Sequence, residues 1–243
     1  MEQFFQQLTN GLAVGGIYAL IALGYTMVYG IIKLLNFAHG DLYMIGAFIG
    51  FLVLSVLSPL IGDSWAGIMC SMVLSMIAVG LLGVLIQRIA YQPMLSAPRL
   101  SILITALAVS MILSNGVMAF TDGEYLAFST ALGYEGLELG NVFITYTQMV
   151  LVGAAALLMF ALYLFVHRTM YGKAMRAIAI DKDACRLMGI HVNRIIALTF
   201  FIGTSLAASA GIMAGAYYGS IHFFMGFVIG LKAFTAAVIG GIG

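Results

Sequence analysis

The sequence predicts an all-α fold, a polytopic transmembrane helical bundle, on three observations. Hydrophobic residues make up 63% of the 243-residue chain and charged residues 8%, with a mean hydropathy of +1.11. Soluble domains carry roughly 25% charged residues, so this chain has too few to cover a water-facing surface. Apolar runs long enough to cross about 30 Å of hydrocarbon recur along the chain. The basic residues are segregated: Arg168, Lys173, Arg176, Lys182, Arg186 and Arg194, six of the ten Lys and Arg, fall in one stretch between two such runs. The net charge of +1 says little, whereas the placement of the charges fixes which side of a membrane each loop occupies. A single membrane domain over residues 1–243 is expected, with six to seven hydrophobic spans, the last incomplete.

Residues 8–32 form the first span, in which Gly11, Gly15 and Gly16 leave one side open to close helix approach. The stretch KLLNFAHGD, residues 33–41, interrupts the hydrophobicity without making a full loop. A second span covers 42–60, with Gly46 and Gly50 repeating the small-residue spacing. A turn with Pro59, Gly62 and Asp63 then leads to Trp65, a residue suited to the interfacial belt. The third span is 66–86. It runs into QRIAYQPMLSAPR, where Arg88 and Arg99 without any acid predict the same side as the large basic stretch.

The fourth span is 100–120. Residues 121–145 carry Asp122, Glu124, Glu135 and Glu138 and no Lys or Arg, which marks an external loop. That loop is either a solvated connection or a contact surface for an external partner. The fifth span, 146–166, returns to the basic side, and the sixth is 195–218. In the sixth, Gly203, Ala207, Gly211, Gly215 and Gly219 recur every four residues, a stripe that packs tightly within the subunit or against another one. The last run, 227–243, contains Lys232, is short for a crossing and stops within an element. Counting spans back from the basic loops places the N-terminus outside, provided that residues 36–41 form a true turn and not a re-entrant segment. The N-terminus has neither a basic n-region nor a small-residue cleavage site, so no cleaved signal peptide is expected.

Within the basic stretch, residues 168–194, a short helix is expected. Asp181 caps it, Ala184, Leu187 and Met188 share one face, and Gly189 ends it. An ordered element of this kind on the basic side suits the docking of a partner protein.

Asn36, His39 and Asp41 are the one cluster of polar side chains flanked on both sides by apolar spans. Such groups at membrane depth are costly, and a polar pathway or a paired site accounts for them. A helix broken there leaves free backbone groups, tolerated only inside protein or a wet cavity. The other reading is an interfacial turn with Asp41 as an N-cap. Enzyme motifs are missing: there is no G-x-x-x-x-G-K-[ST], H-E-x-x-H or G-x-S-x-G. Ser220 and His222 are two apart, a spacing that does not face on a helix. Cys70 and Cys185 lie in a span and in the basic stretch, so no disulfide joins them and no metal spacing exists. No catalytic residue, metal or bound cofactor is expected.

The run NGLAVGGIYALIALGYTMVYGIIKLLNFAHGDLYMIGAF resembles the start of the permease subunits of branched-chain amino acid ATP-binding-cassette importers, the LivH type. YQPMLSAPRLSILITALAVSMIL, GKAMRAIAIDKDACRLMGIHVNRIIALTF and GLKAFTAAVIGGIG agree with it in matching order; together they are specific. The resemblance implies a membrane-spanning permease domain that pairs with a second related permease in a bacterial inner membrane. It implies two cytoplasmic ATPase subunits that hydrolyse ATP, and a periplasmic binding protein that delivers the amino acid. It also implies that the loop 168–194, with Arg176, Asp181, Ala184, Leu187, Met188 and Gly189, carries the coupling helix. Members usually continue beyond GGIG. Nucleic acid has no place in this scheme; membrane lipid does. The competing reading is a stand-alone channel or facilitator for a small polar solute such as urea or an amide.

Overall fold

The computed structural model describes residues 2–33, 36–61, 64–94, 97–128, 135–139 and 142–242. Its elements in order are α1 (Glu2–Ile32), α2 (His39–Ile61), α3 (Trp65–Ile86), α4 (Arg99–Thr121), β1 (Leu126–Ala127), β2 (Gly136–Leu139), β3 (Val142–Thr145), α5 (Tyr146–Arg168), α6 (Met170–Ile180), α7 (Lys182–Leu187), α8 (Val192–Tyr218), β4 (Ser220–Ile221) and α9 (Met225–Gly240). Among the described residues six helices are long and apolar enough to cross a membrane, and the fold is the all-α bundle that the composition predicts. Of the turn expected at Pro59, Gly62 and Asp63, Pro59 lies within the last turn of α2; the other two fall outside the described residues.

The bundle is built around α8. Of its apolar window 78% is buried, against 11% for α4 and 17% for α5, so α8 is the axis and the latter two lie at the periphery. Helices α1, α2 and α3 surround it, and small residues set the approach. A Cβ on Gly211 would overlap the backbone of Tyr43 and Ala47, and one on Gly215 would meet the Phe128 ring. Gly203 packs against Gly24, and Ala207 is fully buried. This stripe is therefore covered by the chain's own helices. Gly219 departs from the expected role: it is the left-handed C-cap of α8, with φ +69° and open space where a Cβ would be.

Hydroxyls join the helices where apolar side chains alone have no preference for one another. Ser75 Oγ donates to the Gly46 carbonyl (2.8 Å), Ser205 Oγ to Met76 (2.8 Å) and Thr204 Oγ1 to Val79 (3.2 Å). Each reaches a carbonyl of another helix, in addition to any within its own.

The two ends of the bundle differ. At one, β2 and β3 form an antiparallel hairpin and β1 pairs with β4, Leu126 opposite Ile221. Gln6 of α1 brackets the Phe143 backbone, donating to its carbonyl and accepting from its N–H, both at 2.9 Å. Thr145 and Gln148 form a capping box that starts α5. Residues 129–134 and 140–141 of this loop lie outside the described ones.

At the other end, α6 and α7 pack under the bundle. Met175, Ile178 and Cys185 join Ile31, Tyr91, Ile102, Val192 and Ile195 in one apolar cluster. The Asp181 carboxylate accepts from Asp183 N (2.8 Å) and Ala184 N (3.0 Å), which starts α7; Gly189 follows its end at φ +80°. Helix α6 was not expected. Thr169 caps it by accepting from Gly172 N at 3.1 Å, and Gly172, Met175 and Ile178 form its buried face.

Candidate functional site

The candidate site lies where α1 ends and α2 begins. Helix α1 stops at Lys33, an exposed residue with φ +60°, after which it cannot continue as a right-handed helix. Residues 34–35 fall outside the described ones. His39 then opens α2, its N–H donating to the Asn36 carbonyl at 3.1 Å.

The start of α2 is deep in the bundle. A Cβ on Gly24 would overlap both His39 Nε2 and the Gly203 carbonyl, so these three residues share one level. Gly24 is about 12 Å short of the end of α1, and Gly203 is about 16 Å along α8 from Val192 at 1.5 Å per residue. Seven residues beyond Ile32 the chain has thus climbed back into the protein. Asn36, His39 and Asp41 are buried, at 4%, 0% and 2% exposure. Asp41 is not the N-cap; it sits in the first turn of α2, where a carboxylate complements the helix dipole. The non-helical backbone at this depth is enclosed by protein, the condition under which it is tolerated.

Partners on other helices order the three side chains. Tyr91 OH donates to Asn36 Oδ1 at 2.6 Å. Tyr91 is delivered by a single π turn, Gln87–Tyr91, that continues α3 and directs Tyr91 inward. The Tyr25 ring lies 4.6 Å from that of His39, and the Ser110 hydroxyl of α4 lies against the Asp41 carboxylate. Among the described residues Asn36 Nδ2 has no hydrogen-bond partner, and the His39 ring lies against the Ile21 carbonyl without a hydrogen bond of good geometry. Buried polar atoms left without good partners are costly.

Helix α9 closes the site from the side. Gly40 meets Gly226 and Gly230 so closely that a Cβ on Gly40 would overlap the Gly226 carbonyl. A cleft of about 30 Å³ remains between α1, α4 and α9, lined by Tyr25, Asn36, Ser110 and apolar residues including Phe227, Leu231 and Phe234. It has room for a water or two and not for an amino acid. Among the described residues no group of three or more His, Cys, Asp or Glu comes together to hold a metal ion, and both cysteines are free.

Sequence reading missed Tyr25, Tyr91 and Ser110. None carries a local signal, because each reaches the site from a distant segment. Gly226 and Gly230 did carry one, a small-xxx-small spacing in the last span.

The family profile described as "Branched-chain amino acid transport system / permease component" matches residues 7–243. The chain belongs to this family. It is 45% identical to the high-affinity branched-chain amino acid transport system permease protein BraD of Pseudomonas aeruginosa, and 40% identical to the LivH protein of the same description from Escherichia coli K12. Each match covers 99% of this chain and 80% of the relative. A probable branched-chain amino acid transport permease, LivH of Methanocaldococcus jannaschii, is 24% identical over 97% of the chain and 73% of its own length. No solved structure gives a significant match. This family accounts for the multi-pass architecture, and its members are named as transport permeases.

At the α6–α7 end the other candidate residues lie on the surface. Ala184 is exposed, as are Leu187 at 89% and Met188 at 82%, and Ile180 at the end of α6 adds a further exposed apolar side chain at 89%. Arg176 is exposed beside them. Lys182 is held below the usual lysine range by burial first, then by Arg186 and Lys33, with Asp183 opposing. Asp183 is already engaged by Arg186 at 3.0 Å. The result is an exposed apolar tip among charged residues of both signs.

Proposed function

We propose that this chain is the membrane-spanning permease subunit of an ATP-binding-cassette importer in a bacterial inner membrane, translocating branched-chain or related aliphatic amino acids. A periplasmic binding protein delivers the solute, a second related permease completes the pathway, and two cytoplasmic ATPase subunits supply the energy. The family match over residues 7–243 carries this reading. The buried polar cluster at Asn36, His39 and Asp41 supports a solute path along the start of α2, and the exposed apolar tip at α7 supports an ATPase contact. The cleft beside Asn36 is too small for an amino acid, so passage requires α9 or α4 to move as a body against α1 and α2.

The orientation follows from charge. Arg88 and the stretch 168–194 are assigned to the cytoplasm and residues 121–145 to the outside. With Cys70 and Cys185 replaced, single cysteines at Glu135 and Lys173 are expected to label from opposite sides of the membrane. Labelling of both from one side refutes the assignment.

Uptake into vesicles holding the complete transporter tests the pathway. Asn36→Ala and His39→Ala are each expected to lower uptake about tenfold or more, the scale of losing one buried polar contact, while the subunits still co-purify. Tyr91→Phe removes only the hydroxyl that holds Asn36, and a smaller loss is expected. Unchanged uptake in both alanine variants shows that the cluster serves structure alone.

A further inference from the structure

We propose that the groove between the π turn at the end of α3 and the start of α8 binds the headgroup of an anionic phospholipid. Arg88 and Arg194 line this groove, about 580 Å³, with Gln92, Pro93 and Asn193. No carboxylate is among its described lining residues. Among the described residues the recorded ion pair is Arg186–Asp183, so neither Arg88 nor Arg194 has an acidic partner. Two guanidiniums with free forks on one concave surface suit a phosphate diester, which accepts bidentate hydrogen bonds. Lysine or arginine pockets at the membrane-facing edge of helices are where acidic lipid headgroups bind.

Depth and the surface above the groove point to lipid and not to a free anion. Arg88 lies about 34 Å from Trp65 along the helix, at 1.5 Å per residue, against about 30 Å of hydrocarbon. With Trp65 at one interface, Arg88 stands at headgroup level on the other. On the stretch of α3 leading to it Ile77, Leu81 and Leu85 recur every four residues, all exposed, so no other part of the described chain covers this line. An acyl chain lying on that stripe brings its phosphate to Arg88. The π turn matters here too, since it turns Tyr91 inward to Asn36 while Arg88 and Ile89 face out.

Native mass spectrometry of the purified chain, released from mixed phosphatidylglycerol and phosphatidylcholine, tests this. Wild type is expected to retain phosphatidylglycerol in preference to phosphatidylcholine. Arg88→Gln and Arg194→Gln should each weaken retention about fivefold, and the pair about thirtyfold, from roughly 1 kcal/mol per basic residue. Arg186→Gln, whose guanidinium is already paired, is expected to keep the lipid. All three side chains are exposed, so folding is not at stake, and the single variants carry the test if the double variant is poorly made. Equal retention of the two lipids, or a loss with Arg186→Gln as large as with Arg88→Gln, overturns the proposal by showing only diffuse attraction. Displacement of the lipid by millimolar inorganic phosphate also overturns it, since the site would then recognise a free anion. If the double variant keeps its lipid but no longer co-purifies with ATPase subunits, the two arginines belong to a protein interface and the proposal falls.

Discussion

Gly211→Leu is expected to leave little folded protein in the membrane. Position 211 lies directly against the backbone of α2: even a Cβ there would overlap the Tyr43 carbonyl, and leucine adds three further heavy atoms. The obstacle is backbone, which has no rotamer to escape into, so the helices must separate. Overpacking a core commonly costs about 1–3 kcal/mol where side chains yield. Against a rigid backbone on the central helix the cost is on the order of 4 kcal/mol or more, comparable to the whole stability of many domains. Gly211→Ala should show a smaller loss in the same direction. Gly153→Leu, where a Cβ meets nothing, is expected to behave as wild type. Yield of monodisperse protein in detergent and its thermal unfolding check all three. Normal yield and uptake for Gly211→Leu remove the packing role.

That expectation shows what the sequence made legible. Apolar runs placed six spans within a few residues of their ends, because the thickness of hydrocarbon dictates length and composition together. The four-residue recurrence of small side chains marked α8 as a helix with a tightly packed stripe. The same periodicity misled at Gly219, where the fifth small residue answers a backbone need, a left-handed cap, and not a neighbour. Spacing alone does not separate these two causes.

The candidate site was half legible. Asn36, His39 and Asp41 stood out as polar residues between apolar ones, and they are buried together. Their depth was not legible, since it depends on Gly24 and Gly203 admitting His39 between helices far apart in sequence. Tyr91 looked like part of a polar connection; only the π turn, a change of one residue in helical register, directs it to Asn36. Helix α6 was hidden by its charges. Its buried residues Gly172, Met175 and Ile178 are spaced three apart, with Lys173 and Arg176 between them, so a reading that followed the basic residues passed over its apolar face.

Leu187→Asp is expected to separate ATP hydrolysis from uptake, or to release the ATPase altogether, while the permease itself folds normally. Leu187 is 89% exposed and contributes little to the packing of the free chain, so the effect should fall on the complex. Beneath it, α7 is fixed from two directions: the Asp181 cap orders its first turn, and Cys185 anchors it in the apolar cluster with Met175 and Val192. The exposed side chains Ile180, Leu187 and Met188 are thereby presented on a rigid base, the arrangement by which an amphipathic helix fills a partner's groove. Burying one leucine contributes about 1.5–3 kcal/mol, and a carboxylate in its place must also be desolvated, so a loss of affinity of a hundredfold or more is expected. Lys33 and Lys182 around this tip should steer an acidic partner and affect the rate of association more than its strength. Lys182→Gln is therefore expected to give a modest, salt-sensitive decrease. The alternative is that the tip rests on anionic lipid, held by those cations. In that case Leu187→Asp weakens attachment to the bilayer surface and leaves the subunits together. Co-purification of the ATPase with the Leu187→Asp permease at wild-type yield, with wild-type uptake, would exclude the coupling role.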